Sequence, residues 1–192
     1  MSCLKASDLS VCNAKSTCRS NMKRLAFVLA VALLSGCASV QNSATEGYTG
    51  PTAQVDDSFN AVSGSKVEFF YVDKLDGHVM RNARSASLIA NAGGGMHMTP
   101  VAAGRLVPAS KPISLVIVAR TEYAAPILVL SNVVYQVKGT VDITLEPNKH
   151  YVVKGALGES SSSVWIEEAE THQVAGKKVQ IDGSAKLGFF DK

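Results

Sequence analysis

Residues that could carry out metal chemistry are few in this 192-residue sequence, and they lie far apart. Its four histidines fall in four different segments, at His78, His97, His150 and His172. None stands two or four positions from another, which is the spacing that places two ligands on one face of a strand or helix. We therefore expect surface histidines, and we predict no metal site and no cofactor.

Serine, glycine and glutamate clusters also lack the neighbours that catalysis needs. The run Ser160–Ser163 is not part of a Gly-x-Ser-x-Gly motif, and Gly93–Gly95 is not followed by the Gly-Lys-Ser/Thr ending of a phosphate-binding loop. Glu167 and Glu168 would point to opposite faces of a strand, so they could not act together as an acid/base pair. We expect solvated loops at these places and predict no catalytic residue.

The segment 120–123 (RTEY) is polar, although it lies between two strongly apolar runs. In an extended chain Arg120 and Glu122 share one face, and Tyr123 offers a flat amphipathic side chain for contacts. The candidate interaction surface consists of these three residues together with Tyr135 and Trp165. The alternative is an ordinary ion pair between neighbouring strands at the rim of a sheet.

Residues 22–37 have the layout of a secretory signal. A positive start at Met22-Lys23-Arg24 precedes ten apolar residues over 25–34, and small residues lead to Cys37. Ten helical residues span about 15 Å, roughly half of a bilayer's hydrocarbon core, so the run is too short for a permanent transmembrane helix. The pattern favours a segment that is cleaved or lipidated.

Leu34-Ser35-Gly36-Cys37 resembles the lipobox of bacterial lipoproteins. The resemblance implies that the Cys37 thiol carries a diacylglyceryl thioether, that the peptide bond before it is cleaved, and that the new amino terminus is acylated. Three acyl chains are enough for stable anchoring. Ala38, in place of aspartate, implies sorting to the outer membrane. The expected location is therefore the periplasmic face of the outer membrane, with the membrane bound through the lipid on Cys37.

Removing residues 1–36 changes both the charge and the cysteine content. The whole chain has a formal net charge of +3, but residues 37–192 hold fourteen basic and fifteen acidic side chains. Because no basic cluster remains, we predict no nucleic-acid partner. Cys3, Cys12 and Cys18 leave with the leader, and Cys37 alone cannot form an intramolecular disulfide. Either translation starts at Met22, or the leader has an unusually long positive region before its apolar run.

Short apolar runs separated by turn residues predict an all-β fold, an antiparallel β-sandwich of about seven to nine strands of the immunoglobulin or transthyretin-like kind. The runs cover residues 66–72, 113–119, 126–137 (divided at Ser131-Asn132), 140–145, 150–154 and 163–167. Asp76-Gly77 predicts a tight turn. The segment 81–92 could form a short helix or a strand.

These assignments divide the chain into four parts. They are a leader with its signal peptide over 1–36, a lipidated flexible tether over 37–50, a sandwich domain over 51–182 and a C-terminal tail over 183–192. In the tail, Phe189-Phe190 is the candidate for packing onto the core.

The stretch 141–174 resembles the closing strands of PEGA-like and transthyretin-like sandwiches, through a strand, the turn at 147–149 (PNK), a second strand and the motif VWIE at 164–167. The resemblance implies an extracytoplasmic spacer or contact module that is not an enzyme. As a whole, the chain resembles small lipoproteins of Gram-negative bacteria.

Three hypotheses about function follow. The first is a non-enzymatic outer-membrane lipoprotein that acts as a structural or protein-interaction module, with an envelope protein as its partner. The second is a lipoprotein that binds a small ligand or carbohydrate through Trp165 and nearby tyrosines. The third is a hydrolase whose residues converge only in three dimensions.

The lipobox assignment predicts the behaviour of a single substitution. In Cys37→Ser the sulfur that would accept diacylglycerol is missing, so we expect the precursor to remain uncleaved and unlipidated. Metabolic labelling with a radioactive fatty acid, followed by mass spectrometry of the amino terminus, measures both effects. Label that still enters the serine variant would refute the assignment.

Overall fold

The computed structural model describes residue 45 and residues 47–192, and these residues form ten strands and two short helices. The predicted signal over 22–37, Cys37 and most of the predicted tether lie outside the described residues. The strands are β1 (Thr52–Asp56), β2 (Ser58–Ser63), β3 (Lys66–Leu75), β4 (His78–Val79), β5 (Gly104–Pro108), β6 (Pro112–Tyr123), β7 (Gln136–Thr144), β8 (His150–Ala156), β9 (Ser161–Glu168) and β10 (Val174–Asp182). The helices are α1 (Ala83–Ala90) and α2 (Pro126–Ser131).

The strands form two sheets. Sheet one has the order β10-β9-β8-β1-β5, and sheet two has the order β2-β3-β6-β7 with the short β4 beside β3. Neighbouring strands are antiparallel except β1 and β8, which run parallel from the pair Gln54 and His150 to the pair Asp56 and Val152. The prediction of an all-β sandwich is confirmed at the level of class, with ten strands among the described residues.

The main core lies between the two sheets, because alternate side chains of each strand point inward. Leu115 and Ile117 of β6 face Val153 of β8 and Ile166 of β9, and all four side chains are almost fully buried. Five of the six apolar runs predicted as strands are strands in the structure. The predicted turn at Asp76-Gly77 joins β3 to β4, with positive φ at both residues, as a two-residue hairpin turn of this kind requires.

Helix α1 covers the outer face of sheet two. Its N-cap is Asn82, whose side chain accepts a hydrogen bond from the backbone N–H of Ser85, while Ser85 Oγ accepts one from the backbone N–H of Asn82. This reciprocal capping box fixes the start of the helix. Ala83 packs with Phe69, Tyr71 and other side chains of sheet two in a second buried cluster. The ambiguous segment 81–92 is therefore a helix.

The run 126–137 was wrongly predicted as strand in its first half. Residues 126–131 form α2, with Pro126 in the first turn, where the missing proline N–H costs no hydrogen bond. None of the α2 residues is buried, so the apolar character of the run does not reflect a place in the core. Strand β7 begins only at Gln136.

The tail also differs from expectation. Phe190 is 96% exposed and Phe189 is 60% exposed, so neither ring packs onto the core. The tail is attached instead through the buried Ala185 and through two backbone bonds, from Gln136 N to Ala185 O (3.0 Å) and from Leu187 N to Val134 O (2.8 Å). Within the described part of the chain, no helix has the length and apolar character to span a membrane.

The close approach of the two sheets at Gly155 gives a stability prediction. A Cβ there would lie 2.4 Å from Phe70 Cδ1 and 2.8 Å from the backbone oxygen of Ser163, neither of which can move freely. We expect Gly155→Ala to lower the free energy of unfolding by about 1–3 kcal/mol through overpacking. Urea denaturation measures the change.

The matched control is Gly64→Ala, whose new Cβ would meet only the exposed imidazole ring of His97. Because that ring can rotate away, we expect this variant to unfold within about 0.5 kcal/mol of the original protein. Equal stability of the two variants would contradict the close contact at Gly155.

Candidate functional site

Asp57 stands at the corner where the chain leaves sheet one and enters sheet two, as the single residue between β1 and β2. Its carboxylate is fully buried and accepts three hydrogen bonds. Oδ1 accepts one from Val72 N (3.0 Å), and Oδ2 accepts one from Ala83 N (2.8 Å) and one from Arg105 Nη2 (2.6 Å). One side chain therefore joins β3, the first turn of α1 and β5.

The ion pair between Asp57 and Arg105 is almost completely removed from water, since only 4% of the Arg105 side chain is exposed. Burial raises the pKa of the Asp57 carboxyl, against the opposing effects of Arg105 and of the backbone N–H groups of Ala83 and Val72. Arg105 Nε and Nη1 are buried and have no hydrogen-bond partner within the described residues. The guanidinium therefore retains two unused donor nitrogens.

A cavity of about 490 Å³ lies between the start of α1 and the edge strand β5, with Arg105 in its wall. Its lining consists of Met80, Arg81, Ala86 and residues 101–105. The volume is within the usual range for small-molecule sites, and the lining combines apolar side chains with two arginines. The cavity is therefore the candidate ligand site of the protein.

Arg120 and Glu122 lie on the outer face of β6, next to α1. Glu122 Oε2 is 3.6 Å from Arg120 Nε and 2.5 Å from Arg84 Nε on the helix, and Glu122 is only 5% exposed. Arg120 Nη1 also donates to Gln136 Oε1 on β7 at 2.6 Å. Burial raises the pKa of the nearby Tyr71 phenol to about 12, against the opposing effects of Arg84 and Arg120. The structure therefore brings Arg120 and Glu122 together. They belong to a mostly buried network of charges that attaches α1 to sheet two.

The remaining three residues of the candidate interaction surface lie elsewhere. Tyr123 is buried and donates a hydrogen bond from its Oη to Val133 O (2.9 Å). Tyr135 is near it, because its backbone oxygen accepts a hydrogen bond from Thr121 N (3.0 Å). Burial and then the neighbouring Tyr135 raise the pKa of Tyr123. Burial and the neighbouring Glu159 raise the pKa of Tyr135 itself. Trp165 is on β9 in the other sheet, so the five residues do not form one continuous surface.

Trp165 has little unoccupied surface for stacking a sugar ring. Lys178 Nζ lies 4.3 Å from the centre of its ring, and its Nε1–H donates to Glu167 Oε2 at 2.8 Å. A sugar would have to displace this cation–π contact before it could stack on that face. The cavity beside Arg105 is therefore a better candidate than Trp165 for the binding of a small molecule.

Two of the histidines and the glutamates at 167 and 168 belong to separate ion pairs that do not meet in one cluster. His150 Nε2 is 2.8 Å from Asp56 Oδ2, and His172 Nδ1 is 3.3 Å from Glu167 Oε1. Glu168 instead accepts from Lys149 Nζ, a hydrogen bond that lowers the pKa of Glu168. In residues 45 and 47–192, no three histidine, cysteine or acidic side chains stand close enough to share a metal ion.

An exposed apolar surface lies at the end of the sandwich where β6 ends and β7 begins. It consists of Ile127 and Leu130 on α2 together with Phe189 and Phe190 of the tail, and we call it the apolar end surface. Lys192 Nζ holds the tail beside the helix by donating to Leu130 O (3.3 Å) and Asn132 O (2.6 Å). Leu187 N also donates to Val134 O (2.8 Å), so Phe189 and Phe190 lie between two points at which the tail is attached to residues 130–134. Large exposed apolar side chains in neighbouring segments are a typical mark of an interaction site.

The sequence matches no protein-family model, no curated protein and no solved structure.

Asp57 and Arg105 were not identified from the sequence, although a signal for each is present. Asp57 is in phase with the inward-pointing Ala53 and Val55, and Arg105 is in phase with the buried Val107. A charged residue at an inward position of an alternating pattern indicates a buried ion pair or a site. What the pattern does not show is that the two charges meet.

The buried pair predicts strong coupling between two substitutions. We expect Asp57→Ala to lower the free energy of unfolding by about 3–5 kcal/mol, because it leaves the Arg105 charge buried without a partner. Adding Arg105→Met should restore a large part of that loss by removing the uncompensated charge. Urea denaturation of the two single variants and the double variant measures the coupling.

A matched control is the exposed pair Lys138 and Asp73, whose Nζ and Oδ2 atoms are 2.7 Å apart. Asp73→Ala there should cost about 0–1 kcal/mol, as for other solvent-exposed ion pairs. Additive effects of the Asp57 and Arg105 substitutions would show that the buried pair is not coupled.

Proposed function

We propose that this chain is a non-enzymatic lipoprotein of the bacterial outer membrane, which faces the periplasm and acts as a protein-interaction module of the cell envelope. The apolar end surface is its contact site, and the partner is an envelope protein with a complementary apolar surface. The lipobox-like segment ending at Cys37 supports the anchored state. The PEGA-like or transthyretin-like character of the sandwich is part of the same proposal.

The observation that carries this proposal is the exposure of the apolar end surface. Phe190 is 96% exposed, Ile127 is 63% exposed, and Leu130 and Phe189 lie in the same region. A partner that covers such exposed apolar side chains gains about 25 cal/mol of binding free energy per Å² of apolar surface removed from water. The four residues are thus better explained by a contact than by the stability of the isolated domain.

The course of the chain favours a protein over the anchoring bilayer as the partner. Tyr48 donates from its Oη to Ala109 O, and Ala109 N donates to Pro51 O, so the chain enters the domain beside the turn between β5 and β6. The apolar end surface is at the opposite end of β6, whose twelve residues span roughly 36 Å. A lipid on Cys37 would pull the entry end toward the bilayer and leave the apolar end toward the periplasm.

Site-specific crosslinking tests the proposed contact in the full-length protein. A photoreactive phenylalanine analogue replaces Phe190, and as a control it replaces the exposed Gln180 on β10. We expect a discrete, protease-sensitive adduct at position 190 in intact cells and no adduct at position 180. The double substitution Ile127→Ser and Leu130→Ser should weaken the contact about thirtyfold and lower the yield of the adduct accordingly, since each side chain contributes roughly 1 kcal/mol when it is covered.

The crosslinked partner, once identified by mass spectrometry and purified, should bind the full-length chain saturably and should lose that binding in the same double variant. Equal labelling at positions 180 and 190, a protease-resistant adduct with lipid, or no adduct at position 190 would each contradict the proposed contact.

A further inference from the structure

The Arg105 side chain has more hydrogen-bonding capacity than the protein uses. Asp57 accepts one bond from Nη2, whereas Nε and Nη1 are buried and have no partner among the described residues. Leaving buried donors of a charged group unsatisfied costs about 1–3 kcal/mol or more. Arg105 also belongs to the lining of the neighbouring cavity. Because Nε and Nη1 are themselves covered, an acceptor in the cavity reaches them only when the lining rearranges, and the two unsatisfied donors favour that rearrangement.

The charged residues that line the cavity are both positive. Asp57 compensates one positive charge, but both Arg105 and the exposed Arg81 line the same space. No acidic residue belongs to the lining of this cavity. The nearest other carboxylate, Asp56 in the adjoining pocket, lies 2.8 Å from His150 Nε2. Within the lining of the cavity itself, an anionic ligand would therefore meet only positive charges.

The rest of the lining indicates what the ligand carries besides its charge. Met80, Ala86 and Val101 contribute apolar side chains to the cavity. The nearby helix N-terminus offers few donors, because Ala83 N already donates to Asp57 and Ser85 N to Asn82. A phosphate, with its three or more oxygens and higher charge, would find too few donors, whereas one carboxylate with an apolar body matches two arginines and an apolar wall.

We propose that the cavity between α1 and β5 binds a small monocarboxylate with a short apolar tail, with its carboxylate oriented by Arg105 and Arg81. The site is separate from the apolar end surface and goes beyond the proposed interaction function. It also differs from the predicted ligand site at Trp165. Arg105 thereby has two roles, one in the ion pair with Asp57 and one toward the ligand.

Titration of the full-length protein with hexanoate tests the proposal. Two-dimensional NMR of the arginine Nε–H groups reports directly on Arg105, whose buried Nε proton is protected from exchange with water. We expect a saturable shift of this resonance with hexanoate. Hexanol, which has the same tail without the carboxylate, and inorganic phosphate should cause no saturable shift at equal concentrations.

Variants that leave the Asp57–Arg105 pair intact locate the binding. Arg81→Gln, at an exposed position, should weaken hexanoate binding about two- to fivefold, the usual range for a partly solvated charge. Val101→Phe should abolish it by filling the cavity. Thermal unfolding followed by circular dichroism checks that both variants are folded.

Each other result would overturn the proposal. Hexanol binding as well as hexanoate would make the cavity an apolar pocket without carboxylate recognition. Phosphate binding as tightly would make it a general anion site. An unchanged Arg105 resonance would show that the carboxylate does not reach the unused Arg105 donors. Because none of these measurements involves the apolar end surface, a failure here is distinct from a failure of the crosslinking experiment.

Discussion

Taking a carboxylate and a guanidinium out of water costs several kcal/mol for each ion, and this protein does so at Asp57 and Arg105. The cost is offset only because the carboxylate receives three hydrogen bonds from three different elements. Those elements are a strand of sheet two, the first turn of α1 and the edge strand of sheet one. The corner between β1 and β2, the position of α1 and the wall of the adjacent cavity therefore depend on one buried ion pair. An apolar pair of similar size could stabilise the corner equally well, but it could not hold a charge beside the cavity.

The sequence predicted the parts of this fold that are determined by local pattern. Runs such as 66–72 and 113–119 alternate or are continuously apolar because their side chains fill the core, and both are strands. The Asp76-Gly77 turn follows equally from the local need for positive φ. Residues 126–131 are the exception, because their apolar character predicts a buried strand, whereas they form a helix with no buried residue. Burial is a property of the whole fold, and a short apolar run beginning with proline carries too little information to decide it.

The candidate site was harder to predict for a related reason. Arg120 and Glu122 share a face, as alternation requires, but the helix that covers them is placed by Asp57 and by contacts distant in the sequence. Asp57 and Arg105 are 48 positions apart and meet only because the chain crosses between the sheets at that point. Alternation shows which way a side chain points, and it does not show which other chain segment it faces. The sequence therefore indicates that the side chains of Asp57 and Arg105 both point inward, but it does not indicate that they form a pair.

The two candidate sites have opposite physical origins, which argues that they serve different purposes. At the apolar end surface, large apolar side chains are left in water. The hydrophobic free energy of burying them is gained only when a second molecule covers them. At Arg105, two donor nitrogens are buried away from water without a hydrogen-bond partner. An acceptor that reaches them would gain the free energy of the missing hydrogen bonds. Covering the first site requires a broad apolar partner, and satisfying the second requires a small anion. Neither ligand could substitute for the other, and occupation of the Arg105 cavity would reinforce the corner that positions α1.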